Sequence, residues 1–370
     1  MLISSFFFKP KTSFNDFKKI QEFLSDNLSG KLYHSIKRFK KSDKPKISIV
    51  ISTFNGEVYL KPAVRSIQNQ NFLNIEIIIV DDASMDNSIK VINELMEEDP
   101  RIKLIKNNRN SGALYTKTKG VLNAKGKYVM TLDHDNLYAN KKAFLTLYNE
   151  AEKYNLDILG FASIIARFEN RNLTIEKYLN FCNTTIIKMH NITNRFFINN
   201  YEGIRAYLYM FFIKTDIFIN SINQLGNEFL NRNIDVHDDT ILIFILSKNA
   251  LTLMHIKKIF YITLIWPKPY SSSLTFQQTM KYRNRESKNC LAYLTFSEVL
   301  ILFTENNNKD KNIAENAFLN WFIRDSKCKN KSSIRNDTIR ISKLFLNNQY
   351  ISTKAKNEIY SYLNKTYIKE

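Results

Sequence analysis

The stretch that decides the fold is Lys127–Tyr138, which reads KYVMTLDHDNLY. Its first part, Tyr128 to Leu132, contains β-forming residues without charge and predicts a buried strand. The strand ends in Asp133 and Asp135, which should project in the same direction because side chains alternate along extended backbone, with His134 on the opposite face. Two aligned carboxylates suit a hard divalent cation, although an isolated D-x-D is more often simply a loop after a strand.

Three further predicted strands precede this one, and a predicted helix follows each of them. The strands are Ile47–Thr53 (ISIVIST), Ile75–Val80 (IEIIIV) and Arg101–Ile105 (RIKLI). Such alternation with short connections predicts an α/β fold with a doubly wound, mostly parallel sheet flanked by helices. Ligands of open α/β sheets collect at the carboxyl ends of the strands. We therefore expect a site where these strands end.

The composition narrows the class of protein. The chain has 370 residues, 44% of them hydrophobic, which is enough for a sizeable core. Its formal net charge of +19 suits a polyanionic partner, such as nucleotide phosphates, an anionic membrane or nucleic acid. A Lys-, Asn- and Ile-rich bias from AT-rich coding would give the same charge. No G-x-G-x-x-G or Walker loop follows the first strand, which disfavours dinucleotide dehydrogenases and P-loop kinases.

The cysteines and the apolar runs predict the compartment. The three cysteines, Cys182, Cys290 and Cys328, are far apart and odd in number, which indicates a reducing compartment with neither a disulfide framework nor a zinc site. The opening MLISSFFFKPK has too short an apolar run for a signal peptide, and no run reaches the roughly 18 apolar residues of a transmembrane helix. We expect a cytoplasmic protein, with peripheral membrane contact as an alternative.

The chain divides into three predicted regions. Residues 1–45 form an N-terminal helical, basic extension, with a helix from Phe14 to Leu28. Its segment 31–46 has apolar residues at helical spacing and predicts an amphipathic helix, which either packs on its own domain or lies on an anionic membrane. Residues 46–270 form the α/β domain, divided into 46–165 and 166–270. Residues 271–370 form a helical C-terminal region. Further strands are predicted at Leu156–Ala162 and Phe260–Trp266.

Two segments carry a resemblance to a known family. ISIVISTFNGEVYLKPAVRSIQNQNFLNIEIIIVDDASMDNS and NSGALYTKTKGVLNAKGKYVMTLDHDN resemble, in order and in spacing, the nucleotide-binding half of the family 2 glycosyltransferases of GT-A fold. The resemblance covers about residues 46–165 and implies that they form the nucleotide-sugar half of the domain, with 166–270 as the acceptor half. It implies a metal-dependent, inverting glycosyltransferase that moves a sugar from a nucleotide-diphospho-sugar, with UDP the best fit, to an acceptor hydroxyl.

The resemblance also implies roles for individual residues on the donor side. Asp82 would hydrogen-bond the edge of uracil, and Lys117 would lie near the diphosphate, where the family often has Arg. Asp133 would lie by the ribose and, with Asp135, would hold Mn²⁺ or Mg²⁺. Asn136 stands where a further Asp is common. The other residues assigned to the nucleotide-sugar are Thr53, Phe54, Asn55, Glu57 and Gly112.

A second motif, HDDTILIF from His237, begins a predicted helix. Taken alone, acidic residues at a helix start are ordinary capping residues. The motif resembles the family's Glu-Asp pair, which implies that Asp239 is the catalytic base and that Asp238 takes the place of the Glu. Because successive helical side chains diverge by roughly 100°, we expect only one of the two to face the reacting carbon.

The acceptor is not predicted, so a glycan, a glycolipid and a protein stay open. The alternative function is a catalytically inactive GT-A-like protein that binds an anionic membrane or nucleic acid. The intact D-x-D and the Asp238-Asp239 pair disfavour it, because clustered carboxylates would repel a polyanionic ligand. A nucleic-acid partner is therefore not expected.

Overall fold

The computed structural model describes residues 14–32, 34–169, 172–179, 184–189, 191–197, 207–265, 290–303, 308–319 and 335–366. Strands and helices alternate through the first half of this part of the chain. The strands are β1 (Ile47–Thr53), β2 (Ile75–Asp81), β3 (Ile102–Lys106), β4 (Tyr128–Asp133), β5 (Leu137–Tyr138), β6 (Ile158–Glu169), β7 (Asn172–Leu179), β8 (Ile187–Lys188), β9 (Phe211–Lys214) and β10 (Thr252–Ile265).

The helices cover both faces of the sheet or form the C-terminal region. They are α1 (Phe14–Leu28), α2 (Leu60–Gln68), α3 (Ser88–Glu98), α4 (Ala113–Leu122), α5 (Ala143–Tyr154), α6 (Asn191–Phe197), α7 (Thr215–Leu230), α8 (Asp238–Asn249), α9 (residues 290–302), α10 (Asn308–Ala317), α11 (Arg335–Asn347) and α12 (Thr353–Thr366). Short 3-10 helices lie at Ile36–Arg38 and Leu208–Met210.

The strands form one mixed sheet in the order β3-β2-β1-β4-β9-β6-β10-β5. Within it β3, β2, β1 and β4 are parallel, whereas β9 runs antiparallel to both β4 and β6. Every residue of β2 is buried, which explains its uninterrupted apolar run, since helices cover both faces of the sheet. The predicted mostly parallel α/β sheet flanked by helices is confirmed.

The N-terminal helix is confirmed and packs on α2. Ile20 and Leu24 join the hydrophobic core, and the amide of Asn69 donates to Asn27 Oδ1 at 2.6 Å. The amphipathic helix predicted over residues 31–46 is wrong, because only the turn Ile36–Arg38 is helical. Contacts with the rest of the fold outweigh the helical spacing here. Phe39 is buried under the guanidinium of Arg101, 4.1 Å from the ring centroid, whereas Ile36 is exposed.

The second half of the sheet is longer than predicted. β6 extends to Glu169, and β10 already begins at Thr252. The predicted end of β10 at Trp266 and the predicted domain boundary at residue 270 lie outside the described residues. β9 and α7 occupy a region where the sequence shows no clear period.

The C-terminal region is helical, as predicted, from α9 to α12. Cys290, in α9, is buried and disulfide-bonded. The expectation that the cysteines form no disulfide is therefore wrong at this position. In the part of the chain that the structure describes, no helix is long and apolar enough to cross a membrane.

Candidate active site

The ends of β1, β2 and β4 meet at one edge of the sheet. Ser52 pairs with Asp133, and Thr53 pairs with Asp81 in the neighbouring strand. The residue that follows, Asp82, therefore lies at the same edge and donates its backbone N–H to the Thr53 carbonyl at 2.8 Å. The parallel arrangement of the strands accounts for this convergence, as the sequence predicts.

Hydrogen bonds join the loop after β1 to the loop after β2. Asn55 donates its backbone N–H to Ser84 Oγ at 2.9 Å and accepts the N–H of Met85 at 2.8 Å. The carboxylate of Glu57 accepts the N–H of Asn87 at 2.7 Å. Asn55 and Glu57 therefore bind protein backbone, while Phe54 leaves 38% of its surface exposed beside them.

The carboxylate of Asp82 is buried and holds the loop before α4. It accepts hydrogen bonds from the side chain of Asn107 at 2.7 Å and from the backbone N–H groups of Ser111 and Gly112 at 2.8 and 3.0 Å. One oxygen receives two of these bonds and the other receives one. The second oxygen retains one acceptor site, because a carboxylate offers about four.

Gly112 marks a close approach between two loops. Its φ of 88° lies in the left-handed region, and a Cβ there would come within 2.9 Å of the backbone of Asn233 and Ile234. The carbonyl of Ile234 also accepts the N–H of Leu114 at 2.9 Å. Gly112 thus brings the loop before α4 against residues 231–237, the loop that leads to Asp238.

The D-x-D segment lies just beyond β4. The backbone N–H of Asp133 donates to the hydroxyl oxygen of Tyr261 at 3.3 Å, and the side chain of Asn136 joins β4 to β10 by accepting the N–H of Leu264 at 3.0 Å. His134 donates from Nδ1 to the carbonyl of Ser52 at 3.2 Å.

Asp133 and Asp135 are both partly exposed, which leaves them accessible to a cation. Burial and then the charge of Asp135 raise the pKa of Tyr59, which places that carboxylate beside the ring. Within the described residues, no cluster of three or more His, Cys, Asp or Glu side chains surrounds a metal position. Two carboxylates alone fit Mg²⁺, which is usually held by one or two carboxylates together with substrate phosphates and water.

Lys117, on α4, connects the two acidic motifs. Its ammonium lies 2.9 Å from Asp238 Oδ2, 2.9 Å from Asp239 Oδ1 and 3.4 Å from Asp133 Oδ1. The lysine side chain is 6% exposed. Burial lowers the pKa of Lys117, but the three carboxylates together raise it well above its usual range, so the lysine is charged.

Asp238 and Asp239 both reach this ammonium, although they are successive residues of α8. The reason is that Lys117 lies over the start of α8, within reach of both side chains. His237, the N-cap residue of α8, makes no side-chain capping hydrogen bond to the helix. Asp239 also accepts the backbone N–H of Leu208 at 3.1 Å. Burial, opposed by Lys117 and reinforced by the neighbouring carboxylates, raises the pKa of Asp239 to about 7.

Two groups of residues near this site carry no sequence signal. Tyr207, Tyr209 and Tyr261 form a stack beneath Asp133, with centroids of the last two rings 4.2 Å apart. Aromatic residues are common throughout the chain, so only the fold reveals the stack. The second group joins α9 to residues 231–237: Glu298 accepts from Arg232 at 2.6 Å, and Tyr293 packs 4.7 Å from the ring of His237.

The sheet order and the acidic edge define the GT-A class of nucleotide-sugar-binding folds. The crystal structure of S. aureus TarS 1–349 in complex with UDP superposes with a TM-score of 0.59 at 14% identity, over 87% of this chain and 88% of that one. The structure of the same protein with UDP-GlcNAc gives a TM-score of 0.57. At this identity the likeness concerns the fold.

The sequence comparisons point to one family. Residues 48–213 match the model of "Glycosyl transferase family 2". An uncharacterized glycosyltransferase of Haemophilus influenzae is 40% identical over 26% of this chain and 39% of its own length. The Campylobacter jejuni GalNAc(5)-diNAcBac-PP-undecaprenol beta-1,3-glucosyltransferase is 42% identical over 25% of this chain and 30% of its own length. The match therefore spans less than half of these relatives.

Proposed function

We propose that the protein is a metal-dependent, inverting glycosyltransferase that uses a nucleotide-diphospho-sugar, with UDP as the nucleotide. The observation that carries the proposal is the meeting of the D-x-D segment with Asp238 and Asp239 around Lys117. In this proposal, the carboxylates assigned to the donor side lie next to a second acidic pair. A transferase needs both a place for a diphosphate and a base for the acceptor.

Asp239 is the base in this proposal. Its side chain is 15% exposed against 8% for Asp238, so it is the more accessible of the two to an acceptor hydroxyl. With a raised pKa it can hold the proton that it removes. The hydroxyl oxygen then attacks the anomeric carbon, and the bond from that carbon to the diphosphate breaks, which inverts the configuration.

Asp133 and Asp135 would hold Mn²⁺ or Mg²⁺ beside the diphosphate. The cation would neutralise the charge that develops on the departing diphosphate. On the nucleoside side, Asp82 retains one acceptor site at the edge where a base would lie, which suits the N3–H of uracil. Phe54, exposed beside this edge, offers a ring face to the base.

The test is a panel of nucleotide-sugars with and without Mn²⁺ or Mg²⁺, in which release of the nucleoside diphosphate is measured. We expect turnover with a UDP-sugar, and UDP should compete better than ADP or CDP. Because one relative is named for an undecaprenol-linked acceptor, lipid-linked oligosaccharides belong among the acceptors together with free glycans. Binding of UDP without any turnover would favour the inactive alternative, and equal competition by ADP would remove the base-reading role of Asp82.

A further inference from the structure

Lys117 has a geometry that the expected role near the diphosphate does not explain. An ammonium carries three N–H donors and no acceptor. Three carboxylate oxygens, from Asp133, Asp238 and Asp239, lie within 3.4 Å of Lys117 Nζ. One donor makes a hydrogen bond to Asp239 Oδ1, and the carboxylates of Asp133 and Asp238 pair with the ammonium by charge. A ligand phosphate would have to compete with three carboxylates of the protein for this ammonium.

The two shorter contacts are on the acceptor side of the site. Lys117 Nζ is 2.9 Å from both Asp238 and Asp239, and 3.4 Å from Asp133. Lys117 and Asp239 are 122 residues apart in sequence, so this bond ties α4 to the start of α8. Asp239 has a second fixed donor, the N–H of Leu208, on its other oxygen. The two donors together define the direction in which the carboxylate points.

The ammonium of Lys117 also balances the charge of the carboxylates around it. Three carboxylates without a cation would repel one another at short range, and in a buried setting this repulsion is poorly screened. The ammonium, 6% exposed, balances one of the three charges where solvent cannot. Removing it would drive Asp239 away from Asp238 and Asp133. A displacement of about 1 Å at a reacting group can cost roughly 100-fold in rate.

We infer that Lys117 is a positioning residue that orients Asp239 for proton removal and ties it to the donor-side Asp133, and that it is not a ligand of the diphosphate. This inference rests on the proposed function. The two roles of Lys117, positioning the base and binding the diphosphate, predict different effects when its side chain is removed. A diphosphate ligand contributes to donor affinity, whereas a positioning residue for the base contributes to kcat.

The experiment compares Lys117→Met and Lys117→Arg with the wild-type protein. UDP affinity is measured by calorimetry in Mn²⁺, and kcat is measured with the UDP-sugar that the panel identifies. We expect Lys117→Met to lower kcat by about 100-fold or more while the Kd for UDP changes less than about 3-fold. Lys117→Arg, which retains the charge and the donors, should recover a substantial part of kcat.

A control separates this effect from the loss of any buried lysine. Lys214 Nζ lies 2.8 Å from Asp157 Oδ1 near the amino end of β4, where Lys214 pairs with Tyr128. Lys214→Met removes a comparable ion pair away from the site and should leave kcat within a few-fold. If Lys117→Met does not fold, the double variant Lys117→Met/Asp238→Asn, which carries one carboxylate fewer, replaces it in both measurements.

The outcomes distinguish the inference from the proposed function. A parallel loss of UDP affinity and kcat in Lys117→Met would identify a diphosphate ligand and overturn the inference alone. Unchanged kcat would overturn it as well. A wild-type protein that neither binds UDP with Mn²⁺ nor turns over any nucleotide-sugar would overturn the proposed function, and the inference with it.

Discussion

At the scale of single residues, the proposed mechanism gives unequal roles to the two adjacent carboxylates at the start of α8. Asp239→Asn is nearly isosteric but cannot take a proton, so we expect kcat to fall by the ~10²–10⁴-fold typical of a lost general base, with UDP affinity retained. Asp238→Asn still offers an oxygen to Lys117 and should keep measurable turnover. Steady-state kinetics and calorimetry on both variants test the assignment, which fails if Asp238→Asn is the more damaging change.

The D-x-D segment gives a second prediction. Asp135→Ala removes one of the two carboxylates that the proposed function assigns to the metal. Even the loss of groups that only support a ligand typically costs about 10–100-fold in metal affinity. We expect at least that loss in the Mn²⁺-dependent part of UDP binding, measured by calorimetry. Asp43→Ala removes an exposed carboxylate of the N-terminal segment and serves as the control. Metal-dependent affinity equal to wild type would contradict the role of Asp135.

The sequence placed the acidic residues at the correct edge but could not show what they contact. Asp82 and Asp133 end apolar strands, and the alignment of parallel strands brings such positions together. Lys117 is different, because the reach of a long side chain depends on how α4 and α8 approach each other. Two residues a hundred or more positions apart leave no periodic signal in the sequence. The meeting of Asp238 and Asp239 on one ammonium was missed for the same reason.

At the scale of elements, residues 231–237 lie between two neighbours. On one side Gly112 and Leu114 contact this loop, and on the other α9 holds it through Arg232 and His237. Glu298 is 2% exposed and also accepts hydrogen bonds from Arg340 of α11. The C-terminal helices therefore support the loop that leads to Asp238 and Asp239.

This support gives a stability prediction with a pH dependence. Burial alone would raise the pKa of Glu298, but hydrogen bonds from Arg340 and Arg232 outweigh it and lower the pKa. The carboxylate is thus stabilising above its unfolded pKa of about 4.3, and the contribution is lost as the pH falls through the lower folded value. We expect Glu298→Gln to reduce the free energy of unfolding by about 1–3 kcal/mol at pH 7. The difference in the free energy of unfolding between Glu298→Gln and the wild type should shrink below about pH 4.

The measurement is thermal or denaturant unfolding of the wild type and of Glu298→Gln at several pH values. Glu228→Gln is a matched control, because Glu228 pairs with the same Arg232 at 2.7 Å but is 74% exposed. An exposed pair of this kind should contribute less than about 0.5 kcal/mol. A Glu298→Gln effect as small as the control, or one that does not change with pH, would contradict the prediction.

The secondary-structure elements could be predicted from the sequence where a strand is buried on both faces. Uninterrupted apolar runs indicated β1, β2 and β4, since these strands are covered on both faces. The first half of β10 was missed because Lys257 and Lys258 interrupt its apolar pattern. Both are exposed, and the register with β6 shifts between Ile256 and Ile259. β9 lies in an aromatic run that fits a strand and a buried helix equally well.

At the scale of the whole molecule, the net charge of +19 gives a prediction about membranes. Lys40, Lys41 and Lys44 are exposed on a segment that is largely irregular. Near an anionic surface each basic residue contributes about 1 kcal/mol. We therefore expect salt-sensitive sedimentation with anionic liposomes, and weaker sedimentation for the triple variant Lys40→Gln/Lys41→Gln/Lys44→Gln.

The packing of α1 makes this triple variant a better test than deletion of residues 1–45. Deletion would also expose the apolar face of α2, on which Ile20 and Leu24 are packed. Substituting exposed lysines elsewhere, at Lys90, Lys257 and Lys258, controls for total charge. If the protein does not sediment with liposomes at low salt, or if both triple variants weaken sedimentation equally, no membrane-facing segment exists at residues 40–44.

The position of β9 in the sheet has a consequence for the order of folding. β1 to β4 pair among themselves, so a nascent chain can complete this parallel unit before residue 211 has been synthesised. β9 then joins the unit by pairing with β4, and α8 follows it in the chain. Contacts between distant segments form slowly because the intervening chain must first be closed into a loop. We expect a collapsed nucleotide-side intermediate, with the bond between Lys117 and Asp239 formed only in the last, slow phase of folding.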